Sequence, residues 1–522
     1  MLTLSSLLQR TARLYAARTA IHDGDGNLTW AAFAERIARA AAMLSRLGVQ
    51  PRQRFAILCR NCVRQAELIY GAYWSGAVPV PLNYRLAVPE IAAMLDDADC
   101  RLLVVESPFL GLLDRAPLDV WRARAICIES NGESGGLAGY DALRDAAEPA
   151  APYEPAEDDE AILLYTGGTT GRGKGVPLLH RNIVANALQL AHAMSLRPDD
   201  IYLHSSPMFH STDLKATALT MIGAGHVYLP EFSPANVLGA IARHGVTIAS
   251  LVPTMLRRVL DAPELKDADL GRLRLISYGT SPMPVELLRR AAAAFPAVDM
   301  HQCYGLTETS PILAILDEHD HRRGIAGDEH LLRAAGRPLP GVDIRIVADD
   351  GRILPTGETG EIVIRGPQVA RGYHNRPKES AEAFRDGWFW TGDLGRLDAE
   401  GYLYVVDRKK EMVVTGGENV YTLEVEAALC RHPGISEAAV VGVPDEQYGE
   451  ALFAAIVPLP GWQLTPEDVI AHCRGLIGGY KIPRRMAFVD TLPRSAVGKV
   501  LKQDIRRTFG RAPAPSAAGE PG

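Results

Sequence analysis

The chain is 522 residues long, enough for about two to four domains, and its 47% apolar content excludes a disordered or fibrous protein. Its 55 basic and 62 acidic side chains leave a net charge of −7, which gives no basic field for nonspecific binding of nucleic acid. Seven cysteines, odd in number and scattered, read as free thiols of a reducing compartment. No apolar run of about 18 residues and no secretory signal is present, so the expectation is a cytoplasmic protein with no transmembrane segment.

Residues 1–22 carry Arg10, Arg13 and Arg18 and no acid, as transit peptides do. Leu4, Leu7, Leu8 and Leu14 at near-helical spacing favour an amphipathic first helix instead, ended before the turn-like Asp23-Gly24-Asp25-Gly26. From residue 30 to about 300, apolar runs of strand character alternate with helical patterns, which predicts parallel α/β sheets. Residues 55–58 and 101–106 are predicted strands, with a helix over 66–73 between them. Beyond residue 335 the texture changes to short strands between Gly and Pro turns, at 342–347, 360–365 and 402–406, a small β subdomain. From Tyr421 follow a helix (422–429), two strands (438–443 and 451–459) and two more helices (467–476 and 500–509), a compact α+β unit. The predicted organisation is α/β: an N-terminal core over 1–407, with its β subdomain at about 335–407, and a smaller α+β domain over 408–510. Residues 511–522, rich in Pro, Ala and Gly, read as a disordered tail.

The densest chemical signal is the run from Tyr165 to Val176 (YTGGTTGRGKGV), directly after the apolar strand 161–164. Its glycines let the backbone approach a ligand, its hydroxyls and N–H groups donate to phosphate oxygens, and Lys174 adds a point charge. Gly168 to Lys174 fits the Walker spacing, yet Gly175 stands where a magnesium-binding Ser or Thr would follow, which argues against a Walker NTPase. The metal ligand must then lie elsewhere, and Gln302-Cys303-Tyr304-Gly305-Leu306-Thr307-Glu308 offers a ring, a tight turn, a hydroxyl and a carboxylate after a strand.

These two segments resemble the ordered motif set of the adenylate-forming superfamily of acyl-CoA synthetases, adenylation domains and luciferases. So do Trp390-Thr391-Gly392-Asp393, residues 401–419 (GYLYVVDRKKEMVVTGGEN) and residues 493–499 (PRSAVGK), in family order over residues 25–505. The resemblance is greatest to a bacterial acid:CoA ligase. It implies a large N-terminal domain of layered α/β sheets plus a β subdomain, hinged at 408–410 to the smaller domain. It also implies ATP, Mg2+ and coenzyme A as reactants. Thr166, Gly167, Gly168, Thr169, Thr170, Gly171 and Lys174 would cradle the β- and γ-phosphates, Tyr304 would stack on adenine, Thr307 would touch the α-phosphate, and Glu308 would hold magnesium. Asp393 matches the ribose carboxylate with Arg408 beside it, Lys410 the hinge position, and Lys499 the adenylation lysine. Gly416 and Gly417 would line a pantetheine tunnel, Arg85 would meet the nucleotide phosphate of CoA, and Tyr480 would lie near it. His210 matches a gate beside the acyl site, and Thr212, Ser281, Cys303 and Ile312 would line the acyl pocket, suited to an aliphatic or aryl monocarboxylic acid.

The resemblance therefore implies an AMP-forming acid:CoA ligase; the alternative is a stand-alone adenylation enzyme that loads a carrier protein, and a homodimer is left open. The sequence departs from the family where Gly167 and Gly168 adjoin, where Gly173 precedes Lys174, and where Thr280 and Ser281 replace small residues. The phase of Asp213 and Lys215 on their segment is not fixed by the sequence. Cys59-Arg60-Asn61-Cys62 has no second pair for a metal, and residues 317–321 (DEHDH) read as a solvated loop.

Overall fold

The computed structural model describes all residues except 1, 24–25, 130–131, 133, 167–172, 416–417, 446, 496–497 and 511–522. The expected phosphate-loop residues Gly167 to Gly171, the pair Gly416 and Gly417, the middle of the 23–26 turn and the expected tail lie outside the described residues. The chain divides into two compact units, one of residues 1–344, 364–390 and 401–403, the other of residues 345–363, 391–400 and 404–522.

A nine-stranded sheet dominates the first unit, in the order Arg337–Pro338, Ala314–Leu316, Asp299–Tyr304, Leu275–Gly279, Ile248–Ser250, Ile201–His204, Gly225–Tyr228, Thr19–Ile21 and Leu28–Thr29. The six strands from 299–304 to 19–21 are parallel neighbours, so their carboxyl ends share one edge. Parallel strands of this kind are covered on both faces, and Ile201–His204 is accordingly buried along its whole length. The connecting helices carry their own sequence signals. Helix Pro234–His244 opens with the Ser233 hydroxyl accepting the Asn236 N–H and stops at Gly245, whose φ is +63°. A second, four-stranded parallel sheet (Val78–Pro81, Arg54–Leu58, Cys100–Glu106, Ala125–Ile128) and the antiparallel hairpin Glu160–Thr166 with Lys174–Leu179 complete the layers. The first helix runs Leu4–Leu14 with Leu4, Leu7 and Leu8 buried; Leu14, at its last position, points out and is 55% exposed.

Residues 317–321 are not the solvated loop expected from their polarity. Asp317 caps helix Glu318–Ala326 by accepting the Asp320 N–H at 2.9 Å, and Asp320 and His321 are buried. Asp320 accepts from the Tyr402 hydroxyl at 2.5 Å, while His321 shares one hydrogen bond with the Tyr278 hydroxyl (2.7 Å) and one with the Asp317 carbonyl (2.6 Å). The polar side chains find partners inside the protein, which a composition argument misses.

In the second unit, strands Ile435–Asp445 and Gly449–Pro458 form a long antiparallel pair extended by Val413–Thr415, Glu418–Val420 and the parallel Arg485–Phe488. Helices Thr422–Leu429, Pro466–Arg474 and Lys502–Phe509 flank it, the second opened by a Thr465/Asp468 capping box. Part of the expected β subdomain belongs to this unit. The Lys409 N–H donates to the Gly392 carbonyl at 2.8 Å, and its ammonium reaches Asp349 at 2.6 Å and Glu361 at 3.0 Å. The expected pivot at 408–410 thus falls inside the second unit and not at one of its boundaries.

Candidate active site

The carboxyl ends of the parallel strands carry most of the first unit's candidate residues, as open parallel sheets generally arrange. Gly279 and Cys303 are register partners at the ends of adjacent strands, and a Cβ on Gly279 would lie 2.2 Å from the Cys303 carbonyl oxygen. A Cβ on Gly305 would lie 1.9 Å from the Pro311 carbonyl oxygen, so only glycine lets the chain fold back directly after Tyr304. Thr280 follows Gly279 with φ +68°, a left-handed conformation rare outside glycine.

Three residues distant in sequence converge beside this turn. The Lys174 ammonium lies 4.6 Å from the centre of the Tyr373 ring, and the Tyr373 hydroxyl donates to Glu308 Oε1 at 2.9 Å. Glu308 is 7% exposed, and its backbone carbonyl accepts the Ala370 N–H at 2.8 Å. Thr166 pairs with Lys174 across the hairpin and donates weakly to its carbonyl at 3.4 Å. The Thr307 hydroxyl meets Ser211 Oγ at 3.1 Å, which ties the strand-end motif to the segment carrying His210 and Thr212. His210 Nδ1 contacts the Thr212 hydroxyl and accepts the Thr212 N–H at 3.3 Å. Tyr373 and Ser211 escaped the sequence reading because neither lies in a Gly-rich or strand-end motif; only the tertiary fold brings them to Glu308 and Thr307.

His210 lines a small internal cavity together with His204, Met208, Asp213, Thr217 and Tyr228. None of Thr212, Ser281, Cys303 and Ile312 lines that cavity. Cys303 and Ile312 instead share one apolar cluster with Tyr202, Ala216 and Leu275, Ile312 being 3% exposed. Burial raises the Cys303 thiol above its usual range. Asp213 points into the cavity and pairs with His204 at 2.7 Å, which continues to His226 at 3.0 Å. Burial holds His226 well below the ordinary histidine range. Lys215, two residues on, is buried and turned to Ser250 and Ser277.

The remaining candidates lie in the second unit, apart from Arg85, which is exposed in the first with its guanidinium 5.3 Å from the Tyr84 ring. Asp393 is buried and accepts from Arg408 Nε at 3.1 Å. Lys410 is exposed within a turn closed by the Glu411 N–H donating to the Arg408 carbonyl at 2.8 Å. Lys499 is exposed on a turn pinned at both ends: the Ser495 N–H donates to its carbonyl at 2.7 Å and its N–H to Ser495 Oγ at 3.2 Å. Tyr480 is 42% exposed, with the Lys481 ammonium 5.6 Å from its ring centre.

A lysine ammonium and a buried carboxylate thus meet at one tyrosine beside the strand-end turn. The chain belongs to the AMP-binding enzyme family, whose sequence profile matches residues 8–374, with the profile of the AMP-binding enzyme C-terminal domain matching residues 424–499. Feruloyl-CoA synthase of an Amycolatopsis species is 36% identical over 97% of this chain and 99% of its own length. Indoleacetate–CoA ligase of Aromatoleum aromaticum is 37% identical over 97% of this chain and 98% of its own. The structure of ATP-bound MatB from Rhodopseudomonas palustris superposes with a TM-score of 0.87 at 31% identity, over 97% of this chain and 99% of that one. The resemblance carried by the five motifs is borne out, and so is the α/β fold with a large N-terminal and a smaller C-terminal part. No helix among the described residues is long and apolar enough to cross a membrane.

Proposed function

We propose that this chain is an AMP-forming acid:CoA ligase, which converts a fatty or aryl monocarboxylic acid, ATP and coenzyme A to an acyl-CoA, AMP and pyrophosphate. The observation that carries the reading is the convergence of Lys174, Tyr373 and Glu308 beside the Thr307 motif, and the names of the relatives support the acid:CoA pairing. Glu308 suits a hard cation: one oxygen is held by Tyr373, and no lysine or arginine among the described residues pairs with the carboxylate. Magnesium, when bound there with ATP, supplies positive charge at the phosphates.

In the first half-reaction a substrate carboxylate oxygen attacks the α-phosphorus of ATP, the bond to the bridging oxygen breaks, and pyrophosphate leaves. The nucleophile is already an anion, so the step needs no general base; it needs cations and donors placed where like charges meet. Lys174 and the backbone around it take the outer phosphates, Tyr304 stacks on adenine, Asp393 receives the ribose hydroxyls, and Thr307 and Lys499 act at the α-phosphate. In the second half-reaction the CoA sulfur attacks the acyl carbon, the C–S bond forms as the acyl C–O bond to the phosphate breaks, the thiol proton passes to solvent, and AMP leaves. The second domain turns about Lys410 between the two, and Gly416, Gly417, Arg85 and Tyr480 receive CoA. None of the seven cysteines forms a disulfide, which suits the reducing cytoplasm in which we place the enzyme.

The test supplies the purified chain with ATP, magnesium, a panel of carboxylic acids and free CoA, with no carrier protein. Equal release of AMP and acyl-CoA for at least one acid is expected. Pyrophosphate release with no thioester until a carrier protein is added would replace CoA by the carrier as acceptor.

A further inference from the structure

The short segment Ser211–Lys215 sends its two charged side chains to different surroundings. Asp213 pairs with His204 at the internal cavity, whereas Lys215, 4% exposed, reaches the carboxyl ends of two central strands. There its ammonium donates to Ser250 Oγ and, at 3.2 Å, to Ser277 Oγ. The two serines are register partners, and the adjacent strand brings Cys303 close enough to interact with the charge. Two hydroxyls occupy two of the three N–H groups. Among the described residues no carboxylate forms an ion pair with Lys215, and no third acceptor meets it.

A buried ammonium that ion-pairs with no carboxylate is expensive even though Asp213 acts on it through space, and an apolar side chain of similar length would serve packing as well or better. Burial accordingly lowers the Lys215 pKa from the usual lysine range. The location points to a use. Ser211, on the same segment, holds Thr307, the residue assigned to the α-phosphate. Lys215 stands four residues further on, buried at the strand ends, and the same ends carry Cys303 and the Gly279 turn.

We propose that Lys215 selects the acid: its free N–H receives an oxygen on the part of the substrate remote from the reacting carboxyl group. The substrate class is then acids that carry a distal hydroxyl, carbonyl or second carboxylate, in preference to plain hydrocarbon acids. This deepens the acid:CoA ligase reading and rests on it.

The experiment compares matched acids on two skeletons, a straight six-carbon chain and cinnamate, each ending distally in hydrogen, hydroxyl or carboxylate, with AMP release as the readout. On at least one skeleton the wild-type chain should prefer an oxygen-bearing member over its hydrocarbon parent by about tenfold or more. Lys215→Met should lower that ratio of kcat/KM by roughly 10- to 100-fold, chiefly through KM of the oxygen-bearing acid. The hydroxyl and carboxylate arms separate a neutral oxygen from a second anion. A wild-type preference for the parent on both skeletons, or a Lys215→Met variant that weakens every acid equally, overturns the inference while leaving the ligase reading standing. Failure of every acid to release AMP overturns the ligase reading and this inference with it. If Lys215→Met does not fold, Ser277→Ala removes one acceptor of the ammonium and should give a smaller loss of the same ratio; an unchanged ratio there counts against the assignment.

Discussion

Tyr373 joins the two charges that matter at the phosphates, since its ring faces the Lys174 ammonium at 4.6 Å and its hydroxyl donates to Glu308 at 2.9 Å. A donor aimed at one carboxylate oxygen fixes the other for a cation, so Tyr373→Phe should loosen Glu308 without removing it. The expected result is a magnesium requirement raised about tenfold, with adenylation at saturating magnesium falling less. A magnesium titration of pyrophosphate release checks this; an unchanged midpoint would mean that Glu308 is held by its backbone bond to Ala370 alone. Lys499 differs, being exposed on a pinned turn. Lys499→Ala should lower adenylation by about 10²- to 10³-fold, the cost of one preorganised contact at developing charge, and should leave thioester formation from supplied acyl adenylate largely intact. Equal losses in both half-reactions would sink that assignment.

At the scale of elements, the sequence was legible where period and punctuation agree. The run TLEVEAAL became helix Thr422–Leu429, and the apolar runs at 55–58 and 101–106 became strands Arg54–Leu58 and Cys100–Glu106. Tyr304, Thr307 and Glu308 could be singled out as candidates because a strand-end motif is local. Tyr373 and Ser211 were not, since a contact across 65 or 96 residues leaves no local pattern. Helix Glu318–Ala326 was missed for a further reason: its inward face is polar, with Asp320 and His321 paired to tyrosines instead of packed on leucines. That pairing has a consequence for pH. Burial pushes His321 down to about 4, so the native state stays unprotonated there while the unfolded chain takes up a proton below about 6.5. The unfolded state then binds more protons between those values, and stability falls as pH drops through this window, by at most about 3 kcal/mol from this residue. Thermal midpoints at pH 7 and pH 5 should therefore differ less in His321→Gln than in the wild-type chain. Equal differences would show that His321 titrates normally.

On the scale of the whole molecule, the proposed pivot at Lys410 faces a structural objection. Arg408 is tied to Asp393 at 3.1 Å, Lys409 to Asp349 and Glu361, and all of these belong to the second unit. If that unit moves as one body, the chain must bend at the five boundaries where the two units exchange segments, 344–345, 363–364, 390–391, 400–401 and 403–404. If the C-terminal residues move alone, the bend is at Lys410, an exposed turn residue whose neighbours on the N-terminal side are tethered. Lys410→Pro separates these cases, because proline fixes φ near −65°, removes an N–H and restricts the residue before it. With the pivot at Lys410, single-turnover adenylation should stay within about threefold of wild type while thioester formation slows by about tenfold or more, as expected when a conformational step becomes limiting. An unchanged thioester rate would move the bend to the segment boundaries and would make residues 345–363 and 391–400 part of the moving body.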